Sequence, residues 1–281
     1  MIFLHASDIH FGKRHHSPAA EAFLHAAREL PSDAIVLSGD FTQRAKVREY
    51  EAARAYLDQL PQRPLVVTPG NHDVPVYRVL ERAFAPYRNY RRYISTELNS
   101  VTRFPGATVV SLNSSTVYTA IVNGRLTAGQ LAFAERAFTA AEPEDVKVLV
   151  IHHPLAAAPD YGSDQVLPGS EWIARRVTRM GVELVLSGHL HRAYALTTAD
   201  VCEQTHEDGV TWLIHSGTTT STRGRARERG QCSFNRIELT EEHLIIERFM
   251  YFAGRSVFEP VGRRIVPRGL RYLGGGNHDA P

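Results

Sequence analysis

Short aliphatic runs alternate with longer amphipathic segments through the first two-thirds of the chain. The runs are rich in valine, isoleucine and leucine, as buried strands are, and the segments between them repeat apolar residues at the spacing of a helix with one buried face. This alternation is typical of an α/β fold. The predicted strands cover residues 2–4, 34–37, 65–67, 109–112, 146–151 and 183–186. The predicted helices cover residues 18–30, 47–60, 76–84, 128–141 and 171–180.

Beyond Ser187 the pattern contains strands and turns only, which predicts a second, antiparallel sheet. We therefore expect a two-sheet β-sandwich flanked by helices, of the α/β (α+β) class. A single domain should cover residues 1–265, and the glycine-rich residues 266–281 should form a loose tail. The strands of this second half are predicted at residues 193–198, 210–215, 232–239 and 244–252, with a hairpin turn at 207–209.

Composition excludes several classes of protein. With 281 residues, of which 43% are hydrophobic, the chain can bury a core without disulfides, and we interpret Cys202 and Cys232 as free thiols, although they could pair. No run approaches the roughly 20 apolar residues of a membrane span, and the N-terminus lacks a signal-peptide pattern, so we expect a cytoplasmic protein. A net charge of +2 gives little support to a nucleic-acid partner.

Side chains that can bind metal follow five of the predicted strands. Each alone has an ordinary structural explanation, such as a helix cap or a turn. Together they are harder to explain in this way, because α/β sheets place their ligand sites at the carboxyl ends of their strands. The set predicts a metal site with nitrogen and oxygen ligands, which suits Mn, Fe or Zn. Its members are Asp8, His10, Asp40, Asn71, His152, His189 and His191.

These residues form the pattern D-x-H, G-D, G-N-H-[D/E], H and G-H-x-H, in that order, within residues 1–192. In this the chain resembles the calcineurin-like metallophosphoesterases. Residues 39–42, 69–73 and 152–154 are especially similar to the bacterial branch that hydrolyses cyclic nucleotides and glycerophosphodiesters. The fold of that family is a two-sheet sandwich flanked by helices, in agreement with the pattern of strands and helices.

The resemblance implies roles for the individual residues. Two divalent metal ions would be bound, with Asp40 bridging them. His72 would steady the transition state or protonate the leaving group, and Asp73 would orient it. His153, next to the predicted ligand His152, would lie in the outer shell of the site. The resemblance assigns Asp8, His10 and His191 to one metal, and Asn71, His152 and His189 to the other.

The expected reaction is hydrolysis of small phosphodiesters, such as cyclic nucleotides or glycerophosphodiesters, by a hydroxide that bridges the metals. Phosphomonoesters could also be substrates. Asn71, His72 and Arg223 are the candidate substrate-binding residues. The alternatives are a nuclease or nucleotide pyrophosphatase and, least favoured, a binding scaffold with an inactive metal site.

Three other features leave their roles open. Basic and aromatic residues interleave over 87–93, which could bind nucleic acid, form a cap or dimer contact, or simply be a solvated helix; we favour the helix. Arginines recur at every second position over 223–229. The string Gly-Asn-His-Asp occurs again at 276–279, where no predicted strand supports it, and we interpret this copy as coincidence.

Overall fold

The computed structural model describes residues 1–117, 123–160, 165–203 and 209–268. In these residues the predicted alternation of strands and helices is present. The strands are β1 (Ile2–Ala6), β2 (Ala34–Leu37), β3 (Leu65–Val67), β4 (Ser100–Phe104), β5 (Ala107–Ser111), β6 (Val146–Val150), β7 (Leu184–Ser187), β8 (Tyr194–Thr197), β9 (Trp212–His215), β10 (Ser233–Leu239), β11 (His243–Phe252) and β12 (Val257–Pro267). The helices are α1 (Ser17–Glu29), α2 (Val47–Leu57), α3 (Val79–Phe84), α4 (Arg88–Tyr93), α5 (Ala128–Thr139) and α6 (Ser170–Arg179).

The strands form two six-stranded sheets, in the orders β12-β11-β10-β1-β2-β3 and β4-β5-β6-β7-β9-β8. The predicted two-sheet architecture is confirmed, but the strands divide differently from our expectation. Each sheet has a parallel part, β1-β2-β3 or β5-β6-β7-β9, and antiparallel strands beside it. Both sheets are therefore mixed. In the first, β10 of the second half pairs antiparallel with β1, and in the second, β4 and β8 run antiparallel to β5 and β9.

Alternation of side chains along the strands produces four layers. Phe3 packs into the core between the two sheets, together with Val148 and Ile214, whereas its neighbour Leu4 packs into the core beneath α1 and α2. A third core, which includes Leu149, lies under α5 and α6 on the outer face of the second sheet. Adjacent residues of one strand thus serve cores on opposite faces, and the sandwich is flanked by helices on both sides.

Several predicted boundaries need correction. Strands β4 and β12 were not predicted, and β12 extends to Pro267, so the first two residues of the predicted tail belong to a strand. The helix predicted at 76–84 begins only at Val79. Residues 269–281, including the second Gly-Asn-His-Asp string, lie outside the described residues, as does most of the predicted turn at 207–209.

Two further predictions are confirmed. Cys202 and Cys232 are both buried, and they do not form a disulfide with each other. Residues 88–93 form a helix, α4, whose Tyr90 is fully buried against Phe41, while Tyr93 stacks on Tyr50. These two aromatic side chains serve packing and are not a platform for bases. Within the described part of the chain, no helix combines the length and apolar character that crossing a membrane requires.

Candidate metal centre

The seven predicted ligands meet where the two sheets come together at the carboxyl ends of their parallel strands. Asp8 and His10 follow β1, Asp40 follows β2, and Asn71 begins a short 3-10 helix after β3. The remaining three come from the second sheet, since His152 follows β6 and both His189 and His191 follow β7. Both sheets therefore contribute to one site.

Four of the predicted ligands form a first group, in which potential ligand atoms lie within 4.8 Å of one another. Nε2 of His191 lies 3.0 Å from Oδ1 of Asp8. Nε2 of His10 lies 3.5 Å from the same oxygen, and 3.6 Å from Oδ2 of Asp40. All four residues are buried. They could enclose one cation between two carboxylates and two imidazoles.

A second group lies beside the first. Oδ1 of Asn71 is 3.1 Å from Nε2 of His152 and 3.0 Å from Nδ1 of His189. Oδ2 of Asp40 is 3.5 Å from Nε2 of His152. The same carboxylate oxygen thus faces His10 in the first group and His152 in the second.

His153 also contributes to the second group, as its potential ligand atoms lie close to those of His152 and His189. Its Nδ1 is 2.9 Å from the hydroxyl of Ser114, whereas its Nε2 is buried without a hydrogen-bond partner among the described residues. The hydroxyl of Ser114 also accepts the backbone N–H groups of His152 and His153, and so fixes this pair.

Backbone carbonyls orient three of the imidazole rings. In each ring Nδ1 lies within hydrogen-bonding distance of a carbonyl oxygen, which favours the tautomer with the proton on Nδ1 and the lone pair on Nε2. Nε2 is the nitrogen that points toward the carboxylates. The pairs are His10 with Thr42 at 3.2 Å, His152 with Ser38 at 2.7 Å, and His191 with Arg223 at 2.9 Å.

The two carboxylates carry buried charge. Burial alone would raise the pKa of Asp8, but His191 and His10 hold it well below its usual range. The pKa of Asp40 is likewise lowered, chiefly by His152 against the effect of burial. Oδ1 of Asp8 and Oδ2 of Asp40 have no hydrogen-bond donor among the described residues. Ionised, buried oxygens of this kind need a positive charge beside them, and a divalent cation fits that requirement.

The histidines of the site differ in the direction in which their pKa values are shifted. Burial lowers the pKa of His10 to about 4 and that of His189 to about 3, so both rings are neutral at pH 7, as metal ligands must be. Burial acts the same way on His152, but Asp40 outweighs it and raises the pKa to about 9. The carboxylates therefore attract a positive charge to this position, whether a proton or a metal ion.

Five of the predicted ligands adopt a left-handed backbone conformation. Such a conformation costs about 1–3 kcal/mol for a residue other than glycine, and it clusters at functional sites. The surrounding backbone holds it in place, since N–H of Asp8 donates to the carbonyl of Gly39 at 3.0 Å. The residues and their φ values are Asp8 at 55°, His10 at 46°, Asp40 at 57°, His189 at 75° and His191 at 56°.

Two glycines allow the loops to approach each other. A Cβ atom on Gly70 would collide with the backbone nitrogen and carboxylate of Asp40. A Cβ atom on Gly188 would collide with the side chains of Ser7 and Asp8. Both glycines belong to the motif, and in both cases the missing side chain makes room for a carboxylate.

His72 lies at the edge of this centre. Its backbone N–H donates to Oδ1 of Asp40 at 2.8 Å, and its ring meets that of His10 edge to face, with centroids 5.0 Å apart. Nδ1 lies 2.8 Å from the carbonyl oxygen of Gln43, which leaves Nε2 available to a substrate. Burial lowers the pKa of this imidazole.

Among the hydrogen bonds of the described residues, none joins the Asp73 carboxylate to the His72 ring, which differs from the prediction that Asp73 orients this histidine. Its carboxylate is buried and accepts backbone N–H groups of Phe41 at 3.2 Å, Thr42 at 2.9 Å and Gly70 at 2.9 Å. Burial, with the nearby Asp40, raises the pKa of this carboxyl to about 7. Asp73 fixes the loop that carries Asp40, and the carbonyl of Gln43 orients the ring.

Arg223, a candidate substrate-binding residue, lies beside the centre. Its carbonyl accepts from His191, and its half-buried guanidinium lies in the field of Asp40 and Asp8. Sequence reasoning missed Gln43 and Ser114, which hold His72 and the His152–His153 pair. Neither residue belongs to a recognised motif. Gln43 could have been noticed because it lies three residues after Asp40 of the Gly-Asp motif, whereas Ser114 has no such signal.

The first two-thirds of the chain are similar to a known protein family. Residues 1–193 match the calcineurin-like phosphoesterases. The chain belongs to this family. The resemblance predicted from the motif is confirmed, and with it the assignment to hydrolases that bind metal.

Two curated relatives agree with the expected branch. A probable cyclic nucleotide phosphodiesterase of a Synechococcus strain is 26% identical over 195 residues, which cover 67% of this chain and 71% of the relative. A glycerophosphodiester phosphodiesterase of Enterobacter lignolyticus is 36% identical over 84 residues, which cover 26% of this chain and 30% of that protein.

Solved structures confirm the fold of this family member. A dimetal phosphatase of Danio rerio superposes with a TM-score of 0.64 at 13% identity, covering 95% of this chain and 98% of the other. The purple acid phosphatase of yellow lupin has a TM-score of 0.70 at 11% identity, and the match covers 95% of this chain but only 53% of that protein. At these identities the likeness concerns the fold alone.

Proposed function

We propose that this protein hydrolyses small phosphodiesters with the help of two divalent metal ions. The observation that carries the proposal is the position of Asp40. Its Oδ2 lies 3.6 Å from Nε2 of His10 and 3.5 Å from Nε2 of His152, between two groups of buried ligand atoms, and has no hydrogen-bond donor among the described residues. A carboxylate so placed is suited to bridging two cations.

The ligand sets follow from the two groups. Bound there, Mn, Fe or Zn would supply Lewis-acid charge and lower the pKa of water to about 7. Asp40 is shared between the two sites. One metal would be held by Asp8, His10 and His191, and the other by Asn71, His152 and His189.

Other side chains would act on the substrate. The Gln43 carbonyl fixes the His72 ring, so that Nε2, when protonated, can donate to the leaving oxygen of the ester. The half-buried guanidinium of Arg223, which lies in the electrostatic field of Asp40 and Asp8, would bind a phosphoryl oxygen. The amide of Asn71 would contact the same phosphate from its position between His152 and His189.

The names of the two curated relatives support a diester substrate, since one is a cyclic nucleotide phosphodiesterase and the other a glycerophosphodiester phosphodiesterase. A nuclease or nucleotide pyrophosphatase is the second candidate, favoured by a group of cationic side chains beside His72. An inactive scaffold is the least favoured, because every predicted ligand is present and lies in one site.

The test combines metal analysis with substrate preference. Protein purified without added metal salts should contain two transition-metal ions per chain and should hydrolyse bis(p-nitrophenyl) phosphate faster than p-nitrophenyl phosphate. Cyclic AMP and glycerophosphocholine would then be compared as diesters. A preference for the monoester would contradict the assignment, and a metal-loaded protein without activity on any of the four would indicate a scaffold.

A matched pair of variants tests the bridging role. Asp40→Asn should lower the metal content to at most one ion and kcat/KM by more than about a hundredfold. The control is Asp58→Asn, because Asp58 is an exposed carboxylate whose salt bridge, among the described residues, is with Arg54 of α2. If Asp40→Asn kept both ions and full activity while remaining folded by circular dichroism, Asp40 would not be a bridge.

A further inference from the structure

A cleft of about 690 Å³ opens beside the metal centre, and its lining is strongly cationic. Besides the uncharged Gln43 and Thr222, it contains six basic side chains and a single carboxylate, that of Glu49. The whole chain has a net charge of only +2, so positive charge is concentrated here. We call this the basic cleft. Its cations are Lys13, Arg14, Arg44, Lys46, Arg48 and Arg223.

The cationic side chains of the basic cleft are not paired with carboxylates in salt bridges within the described part of the protein. None of its six cations forms a salt bridge to another described residue. The carboxylate of Glu49 is engaged instead by the backbone, since its Oε2 accepts N–H of Arg44 at 2.7 Å and of Lys46 at 3.3 Å. A concave surface of one sign concentrates anions from solution.

The basic cleft adjoins the metal centre through two of its lining residues. Gln43 lines the cleft, and its carbonyl lies 2.8 Å from Nδ1 of His72. Arg223 lines it as well, and its carbonyl holds His191. A ligand that reaches from the metals past His72 would therefore enter the cleft directly.

The walls of the basic cleft are held together by the backbone. N–H of His16 donates to the carbonyl of Thr220 at 2.8 Å, and N–H of Thr222 donates to the carbonyl of Arg14 at 3.0 Å. A bridge between His15 and Ser221 joins the same two loops. On the opposite wall, Glu49 ties the loop at residues 44–46 to the start of α2. The cationic side chains thus project from a framework that exists before a ligand binds.

We infer that the basic cleft binds a second phosphate of the substrate, so that the preferred substrates are nucleotide phosphodiesters carrying at least one phosphate in addition to the one that is cleaved. This inference rests on the proposed phosphodiesterase function. A cyclic mononucleotide has a single phosphate and would leave the cleft empty. A short linear nucleotide could place one phosphate at the metals and a neighbouring one among the cations.

The test compares substrates that differ only in a terminal phosphate. The dinucleoside monophosphate ApA has one diester, whereas pApA and ApAp carry the same diester with an additional 5′- or 3′-phosphate. We expect kcat/KM for one of the phosphorylated forms to exceed that for ApA by at least about tenfold, the effect of one charge-assisted contact. This advantage should shrink as salt is raised from about 50 to about 200 mM.

A double variant assigns the effect to the cleft. In Arg14→Gln/Arg48→Gln, the advantage of the phosphorylated substrate over ApA should fall by about tenfold. The matched control is Arg136→Gln, an exposed arginine on α5 outside the cleft, which should keep the wild-type ratio. Circular dichroism and the metal content would establish that both proteins are folded and loaded.

The outcomes separate the two proposals. Hydrolysis of ApA, pApA and ApAp at equal kcat/KM would overturn the second-phosphate subsite while leaving the phosphodiesterase intact. An advantage that persists unchanged in the double variant would also overturn it. Absence of hydrolysis of all three dinucleotides and of bis(p-nitrophenyl) phosphate would instead contradict the proposed function itself. If kcat/KM for a decanucleotide exceeded that for pApA by more than tenfold, the substrate would be a nucleic-acid polymer, and the proposal of a small phosphodiester substrate would be wrong.

Discussion

The backbone carbonyl of Gln43 accepts a hydrogen bond from Nδ1 of His72 at 2.8 Å. The acceptor is a main-chain atom in the loop after β2, so the ring is oriented by the fold of this loop and not by a neighbouring acid. The ring of His72 thus lies between His10 of the metal centre, which it meets edge to face, and Gln43, which lines the basic cleft.

We predict that His72→Ala lowers kcat by about a hundredfold to ten-thousandfold, the usual contribution of a general acid. Metal content should stay at the wild-type value, because His72 is not among the proposed ligands. Steady-state kinetics with metal analysis of the same sample checks both points. Loss of the metals together with the activity would show instead that His72 is a ligand.

Asp73→Asn should destabilise the fold by about 2 kcal/mol, because an amide cannot accept all the N–H groups that this buried carboxylate binds. The change in unfolding free energy would be measured by denaturant titration, with the exposed Asp58→Asn as the control. A variant of unchanged stability but with much lower kcat would restore the original hypothesis that Asp73 acts in catalysis.

Gly70→Ala should reduce metal content and activity together, because the added Cβ atom would displace Asp40. Gly129→Ala is the matched control: Gly129 lies in α5, and an added Cβ would meet only Thr127 Oγ1, at 3.9 Å. Alanine there should raise stability by up to about 1 kcal/mol. If the two variants had equal metal content, the prediction would be wrong, and the loop at Gly70 would accommodate the Cβ atom without displacing Asp40.

Stability should depend on pH through Glu228, whose carboxylate is buried and accepts from Ser233 and from N–H of Ala193. Burial raises the pKa of this carboxyl, so the folded state binds its proton more tightly than the unfolded state does. The buried charge therefore destabilises the fold above the raised pKa. This penalty disappears as pH falls through that value toward the ordinary glutamate pKa of about 4.3.

The measurement compares unfolding free energies of wild type and Glu228→Gln between pH 7 and pH 4.5. Wild type should gain stability relative to the variant as the pH falls, because glutamine has no charge to lose. Glu171→Gln, at an exposed position of α6, controls for general effects of charge. A constant difference across the range would show that burial does not perturb Glu228.

The candidate metal ligands could be picked out from the sequence because they follow strands with clear aliphatic runs. Strands β4 and β12 were missed for the opposite reason. The burial of β4 alternates only between half-buried and exposed, and most of β12 is exposed, as expected of strands at the edges of the two sheets. Such strands carry no continuous apolar pattern.

The pairing of strands that are distant in the chain also could not be predicted from the sequence. Strand β1 pairs with β10, in a register that joins Phe3 to Ile237, and nothing local to either strand encodes that contact. The groups that orient the histidine rings of the site could not be predicted either. The carbonyls of Ser38, Thr42 and Gln43 act through the main chain, so their side-chain identity gives no signal.

The metal-binding motif depends on the surrounding fold, because five of its residues adopt a left-handed backbone conformation. These residues are Asp8, His10, Asp40, His189 and His191. A free peptide with this sequence would rarely adopt that conformation, because it is unfavourable for residues with a side chain. The hydrogen bonds that impose it connect separate loops, either within one sheet, as from Asp8 N–H to the carbonyl of Gly39, or between the two sheets, as from His189 N–H to the carboxylate of Asp8. Grafting these loops onto another scaffold would therefore transfer the ligands but not their affinity for metal.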